Sequence, residues 1–294
     1  MANRCFGRVI RLTPRKTGMG ALVLALAVLG TGLWMRETGT QSVHAQAGVK
    51  VPILMYHSIL KDPSHTGTYV VTPEELESDL RWLKEHGYTA VHMAQVIAYA
   101  HGEGDLPEKP VVITFDDGYY NNYLYAYPLL KQYGMKGVLS ILGRYTDLYS
   151  GVEENNAYYS HCTWDQLREM AQSGVMEIQN HSYDLHTHTA ARHGCASNKG
   201  EAPEKYRQVV GEDIMKVQNR IRTELGVSPA VFTYPFGSYT AESEKLVREL
   251  GFVSSLSCET GIAVVTDAES LYCMKRILRP GGMSAAAFFA KSGL

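Results

Sequence analysis

The sequence carries almost no excess charge of either sign: 28 lysines and arginines stand against 30 aspartates and glutamates, a formal net charge of −2. A general attraction to nucleic acid is therefore not expected. No Cys-x-x-Cys occurs, which argues against a thiolate metal site. No Gly-x-Gly-x-x-Gly follows an apolar run, so nothing points to a dinucleotide site. Internal repeats and low-complexity tracts are also absent. What is there is a chain of 294 residues, 45% hydrophobic and 20% charged, enough for one sizeable core. Nineteen tyrosines are many for this length. Each offers a flat apolar face and a hydroxyl, which suits a sugar-lined groove, although most serve packing.

The chain opens with Arg4, Arg8, Arg11, Arg15 and Lys16, followed by an apolar run from Met19 to Met35. A basic stretch before an apolar run is the pattern of an export signal or an uncleaved anchor helix. Ala45-Gln46-Ala47 offers small residues for cleavage. Residues 1–35 are thus expected to be a cytoplasmic basic stretch with a signal or anchor, and 36–49 a linker. Residues 50–294 are expected to be one catalytic domain outside the cytoplasmic membrane, anchored or released near Ala47. Cys5 lies in the basic stretch; Cys162, Cys195, Cys258 and Cys273 allow three pairings. Cys162–Cys195 and Cys258–Cys273 are the expected pairs, because both would clip loops, with four free thiols as the alternative.

From residue 51 onward, apolar runs alternate with amphipathic stretches. Val51–Tyr56, Tyr88–Val91, Val111–Phe115, Gly137–Leu142, Val175–Gln179, Ala230–Tyr234 and Phe252–Ser257 read as strands, with Arg276–Leu278 as a candidate last one. Between them, Thr72-Pro73-Glu74-Glu75 and Thr163-Trp164-Asp165-Gln166 open helices with capping boxes. A long helix is expected over about Glu204–Leu225. Residues 143–162 are polar and tyrosine-rich and suit a lid or groove wall, and 187–202 read as a polar insertion. The alternation predicts parallel strands with crossover helices: an α/β fold, a distorted (β/α) barrel of about seven strands. An open doubly wound sheet is the alternative.

In such a barrel, reactive groups gather where strands end. The strand Val111–Phe115 stops at Asp116-Asp117-Gly118-Tyr119. Taken alone, Asp-Asp-Gly reads as a solvated turn; the sharper reading, in which one acid holds a metal and the other moves a proton, rests on the joint placement of polar residues at four strand ends. Unusual polar residues occur at three further strand ends: His57, His181 with His186, and Tyr234-Pro235-Phe236-Gly237. Two imidazoles and one carboxylate leave coordination positions open, as a catalytic ion needs. A gap of five does not share a helix face, so the histidines converge on one ion only if a strand end supplies the first and a loop or helical start the second; two surface histidines in a histidine-rich loop are the alternative.

Thr114-Phe115-Asp116-Asp117-Gly118-Tyr119, His181-Ser182-Tyr183-Asp184-Leu185-His186 and Tyr234-Pro235-Phe236-Gly237 resemble the motifs of the polysaccharide deacetylases, the carbohydrate esterases that share the NodB homology domain. The pattern is similar to the branch of the poly-N-acetylglucosamine deacetylases, whose metal histidines are five apart. In that branch the catalytic histidine comes early through circular permutation; Tyr56-His57-Ser58 resembles the early motif. The resemblance implies Asp116 as general base and His57 as general acid. It implies Asp117, His181 and His186 as ligands of one divalent ion: zinc, or nickel, cobalt or iron. The Phe236 N–H would hold the oxyanion, with Tyr234, Pro235 and Tyr119 at the substrate. Many members carry an arginine three residues before the motif proline, where this chain has Phe232; another group must then restrain Asp116.

The activity so implied is removal of acetyl groups from a GlcNAc-containing glycan, with release of acetate. A glycan-binding relative without turnover, an O-acetyl esterase and a two-histidine, one-carboxylate iron oxygenase stand as alternatives. The glycan itself and the oligomeric state are not legible.

Overall fold

The computed structural model of the protein describes residues 48–152, 154–187 and 192–294. The expected basic stretch, apolar run and nearly all of the linker lie outside the described residues, as does Cys5. Among the described residues no helix is long and apolar enough to cross a membrane.

In chain order the strands are β1 (Val49–Val51), β2 (Ile53–Tyr56), β3 (Ser58–Ile59), β4 (Val70–Val71), β5 (Thr89–Ala90) and β6 (Pro110–Phe115). They continue as β7 (Gly137–Ile141), β8 (Met176–Asn180), β9 (Val231–Thr233), β10 (Ser254–Thr260), β11 (Ala263–Val265) and β12 (Met274–Leu278). The helices are α1 (Pro73–Glu85), α2 (Met93–Ala100), α3 (Tyr127–Tyr133), α4 (Gly143–Gly151), α5 (Trp164–Gln172), α6 (Pro203–Leu225), α7 (Ala241–Glu249) and α8 (Ala285–Ser292). Seven parallel strands close on themselves in the order β2, β6, β7, β8, β9, β10, β12 and back to β2. This is the distorted barrel the alternation predicts, not the open sheet. Short β5 pairs with the first residues of β6, and β1 pairs antiparallel with the distant β11, a partner the sequence pattern did not announce.

The two-residue period of a strand sorts side chains between the inside and outside of the barrel. Ile53, Val112, Val138, Val231, Leu256 and Met274 share one buried cluster. Leu54, Tyr56, Ile113, Phe115, Leu139, Ile178 and Ile277 take the alternate positions and pack with helix residues such as Leu80, Leu167 and Phe289. Above the first cluster the inward residues turn polar: Thr114 and Arg276 touch, and Ser140 and Thr233 share a 2.8 Å hydrogen bond. The charged residues come last, at the strand ends. An apolar floor, a hydroxyl layer and an ionic mouth are thus written in the order of residues along each strand.

Local chemistry sets the helix starts as expected. The Thr72 hydroxyl accepts from the Glu75 N–H while the Glu75 carboxylate accepts from the Thr72 N–H, and Pro73 takes the first turn. Thr163 and Gln166 do the same for α5.

Two expectations need correction. The tyrosine-rich stretch 143–162 is helical over its first half, as α4, and Gly143 permits this by a close approach: a Cβ there would sit 2.8 Å from Tyr183 and Val217 side chains. Neither expected disulfide forms, and all four described cysteines are free thiols. Cys162 belongs to the cluster packed beneath α5 and Cys195 to a separate one around α6 and α7. Cys162 donates to the Tyr119 carbonyl, and burial pushes its thiol up to about 12. The Cys258 sulfur faces Arg276 and Met55, whereas that of Cys273 faces Ser255.

Candidate active site

The end of β6 shows how neighbours on a strand come to serve one cavity. Successive side chains on a strand point to opposite faces, so Asp116 and Asp117 should diverge. They do not, because the chain enters the left-handed region at Asp117 (φ 72°) and Gly118 (φ 75°). Glycine adopts that conformation freely, but for an aspartate it costs on the order of 1–3 kcal/mol. The result is that both carboxylates line one cavity of about 600 Å³, together with His57, Tyr119, His181, His186 and Phe236.

Asp116 is buried and gripped by Arg276 from β12. Two parallel 2.8 Å hydrogen bonds join the guanidinium Nη1 and Nη2 to Oδ1 and Oδ2. The remaining guanidinium donors reach the Ser257 carbonyl at 2.7 Å and the Thr114 hydroxyl at 3.2 Å. Burial alone would raise the Asp116 carboxyl; the charge and hydrogen bonds of Arg276, with His181 and His57, together outweigh it and hold the group below its ordinary range. The restraint that the resemblance expects from position 232 therefore arrives from another strand. Phe232 alternates outward on β9 and packs against Tyr234 and Phe252, on the far side from the cavity. The signal available in the sequence was an arginine between Met274 and Leu278 in an apolar run, on the inward parity of the strand.

Asp117 takes no part in that grip. Its Oδ1 is buried without a hydrogen-bond partner, 3.5 Å from Nε2 of His181 and 3.4 Å from Nε2 of His186. One donor atom from each of the three residues lies within 4.8 Å of the others. His181 Nδ1 is 2.7 Å from the Thr233 carbonyl, which can only accept. Nδ1 therefore carries the proton and Nε2 turns its lone pair toward Asp117, the orientation that metal-binding imidazoles take. Two imidazole nitrogens and an otherwise unpaired carboxylate oxygen fit a divalent cation. Burial opposes ionisation of Asp117, but the two histidines overcome it and hold the carboxyl well below the usual range.

His57 follows the end of β2, with Nε2 3.9 Å from Asp116 Oδ2 and its ring edge-on to Tyr69. Burial lowers its basicity, partly offset by Asp116 and Asp117. A π-helical turn over Asn122–Ala126 lets Asn122 donate to the His57 carbonyl at 2.8 Å, tying the histidine to the segment after the double aspartate. The Tyr234–Gly237 turn brings Phe236 to the cavity in the left-handed region (φ 59°), its ring 4.0 Å from that of His186. Tyr234 and Pro235, expected at the substrate, are buried and do not line the cavity. Tyr234 shares the outward parity of Phe232 and stacks on Tyr239. Tyr69 and Tyr158 complete the wall, both exposed, at 56% and 54%; Tyr158 comes from the tyrosine-rich stretch expected to form a groove wall, whereas Tyr69 did not stand out in the sequence.

The chain is similar to known proteins over most of its length. The profile described as polysaccharide deacetylase matches residues 103–254. The polysaccharide-deacetylase-type protein YxkH of Bacillus subtilis (strain 168) is 29% identical over 248 residues, 84% of this chain and 78% of that protein. The poly-beta-1,6-N-acetyl-D-glucosamine N-deacetylase of Escherichia coli (strain K12) is 26% identical over 244 residues, 74% of this chain but only 35% of that enzyme. Among solved structures, the de-N-acetylase of Aggregatibacter actinomycetemcomitans superposes with a TM-score of 0.67 at 25% identity, over 82% of this chain and 98% of that one. The profile's range holds Asp116, Asp117, His181, His186 and the 234–237 turn but takes in neither His57 nor Arg276; the closed barrel returns His57 to the cavity wall and Arg276 to the Asp116 carboxylate behind it. With half of its length matched by that profile and the barrel in place around it, this chain belongs to the polysaccharide deacetylase family.

Proposed function

We propose that this chain is a metal-dependent N-deacetylase of a GlcNAc-containing polysaccharide, working outside the cytoplasmic membrane. The observation that carries the reading is the division of labour between the two acids. Asp116 is paired with Arg276, and Asp117 is turned, unpaired, toward two imidazole nitrogens in the same cavity. The names of the E. coli and Aggregatibacter relatives support an amide substrate on a poly-GlcNAc chain. The basic and apolar residues of the first 35 positions support export, anchored or cleaved near Ala47.

Asp117, His181 and His186 hold the ion, with zinc as the first choice and nickel, cobalt or iron accepted by the same donors. When bound, the ion supplies Lewis acidity toward a carbonyl oxygen and acidifies water. The chain's own groups do the rest. Asp116, ionised and oriented by Arg276, accepts a proton from the attacking water. The Phe236 N–H donates to the oxygen on which negative charge develops. Protonated His57 gives its proton to the departing amine nitrogen, without which an amide leaves poorly. Tyr119, Tyr69 and Tyr158 wall the cavity with rings that suit a pyranose face.

The test is acetate release from a panel of poly-N-acetylglucosamine, chitooligosaccharides, peptidoglycan and acetylxylan. Release from at least one of the GlcNAc polymers, abolished by chelation and by Asp116→Asn, is expected. Release from acetylxylan alone would move the protein to the O-acetyl esterases. Glycan binding with no release from any member would make it a binding relative.

A further inference from the structure

Two histidines five residues apart converge on one carboxylate only if the four residues between them follow an unusual path, and that path is held from outside. Asn180 Oδ1 accepts from the Ser182 N–H at 2.9 Å, and the Ser182 hydroxyl accepts from the Leu185 N–H at 3.2 Å. The two N–H groups in the middle go elsewhere. Asp213 on α6 takes both, Oδ1 from Tyr183 at 2.8 Å and Oδ2 from Asp184 at 2.9 Å. Asp213 is thus the one charged group in this set of acceptors and the one supplied by another element. The same helix holds the base of the loop: Asn180 Nδ2 donates to the Ile214 carbonyl and to Gln218 Oε1, each at 3.1 Å. From the other side α4 contributes Gly143 N–H to the Ser182 carbonyl and Arg144 N–H to the Tyr183 carbonyl, at 3.1 and 3.0 Å.

The grip works against strain. Ser182 has φ 92°, a conformation a residue with a side chain keeps only when its surroundings impose it, at about 1–3 kcal/mol. Released, the backbone would relax and turn His186 relative to His181. Asp213 does not line the cavity, so it has no route to substrate.

We propose that Asp213 is a positioning residue of the metal site: by clamping the Tyr183 and Asp184 N–H groups it sets the course of the histidine loop and delivers His186 to Asp117. The inference rests on the reading of Asp117, His181 and His186 as metal ligands. It also explains how the five-residue gap is accommodated without a helix. Asparagine at 213 keeps the shape but replaces one acceptor by an NH2 that faces an N–H donor; alanine removes both acceptors.

The experiment is zinc titration of the purified protein against a competing chromophoric chelator, for wild type, Asp213→Asn, Asp213→Ala, His186→Ala and the double variant Asp213→Ala/His186→Ala. Near-UV circular dichroism checks the fold. Loss of an outer partner of a metal ligand typically weakens binding by about 10–100-fold, and a loss in that range is expected for Asp213→Ala, with a smaller one for Asp213→Asn. In the His186→Ala background the Asp213 substitution should add little, because it acts through His186. Folded variants that bind zinc within about twofold of wild type, or losses that simply add in the double variant, overturn the inference. If Asp213→Ala does not fold, the near-isosteric Asp213→Asn carries the same test. A wild-type protein that binds no zinc overturns the metal reading itself, and this inference with it.

Discussion

Arg276 and Asp116 are 160 positions apart and form the tightest ionic contact of the site. A buried carboxylate with two parallel guanidinium bonds is fixed in direction and in charge. Removing the guanidinium leaves burial opposed only by His181 and His57, so the pKa of the Asp116 carboxyl should rise. Arg276→Gln is therefore expected to move the acid limb of the kcat/KM profile to higher pH. The sign follows from the role: a base must be ionised, and a raised pKa keeps it protonated over more of the acid range. Arg276→Lys should restore part of the loss, since an ammonium keeps the charge but not the two-point geometry. A pH–rate profile with an unmoved acid limb in Arg276→Gln would detach Arg276 from Asp116. Asp116→Asn should lower kcat by about 10²–10⁴ while zinc binding persists, because Asp116 is not among the three residues that could hold a metal.

The elements are tied near His57 by a second buried ion pair. Asp79 of α1 meets Arg279, just beyond β12, at 2.7 and 3.1 Å, and the Tyr56 hydroxyl at the end of β2 donates to the same carboxylate at 2.9 Å. Both charged groups are almost fully buried. Asp79→Ala would leave a guanidinium charge inside the protein without its partner, so a loss of about 3–5 kcal/mol in urea unfolding is expected. Tyr56→Phe removes one hydrogen bond to that carboxylate and should cost less, about 1.5–3 kcal/mol. Smaller again is the expected cost of Thr72→Ala, about 1 kcal/mol, from loss of the cap on α1. These strand and helix ends were largely legible in advance. The capping boxes, the strand runs and the stop at Asp-Asp-Gly depend on neighbours a few positions away. What the pattern missed at this level, α4 and the β1–β11 pairing, depends on contacts with distant elements: Gly143 against Val217 of α6, and Val49 beside Val265.

At the scale of the molecule, the described residues form a closed barrel and three apolar clusters, and their four cysteines are free thiols. Chelation should therefore stop acetate release while the far-UV circular dichroism and the unfolding midpoint change little. Reducing agent should leave Tm unchanged. Under denaturing conditions without reductant, Cys162, Cys195, Cys258 and Cys273 should all titrate as thiols. A Tm that falls on reduction would restore the disulfides that the spacing of these residues suggested.

The order of residues by itself determined the barrel rhythm, the double aspartate, the two histidines and the turn at 234–237, since the rhythm is a two- or three-to-four-residue period and each of the others is a short run of neighbouring residue types. It also placed His57 among the candidates, as a polar residue ending an apolar strand. Only closure of the barrel decided that Arg276 reaches Asp116, that Tyr234 turns away from the cavity and that the cysteines stay apart. It also decided that Asp213 holds the histidine loop. The physical reason is the same in each case. Alternation tells which residues share a face, but which strand lies beside which, and how far each helix slides along them, follows from packing the assembled chain.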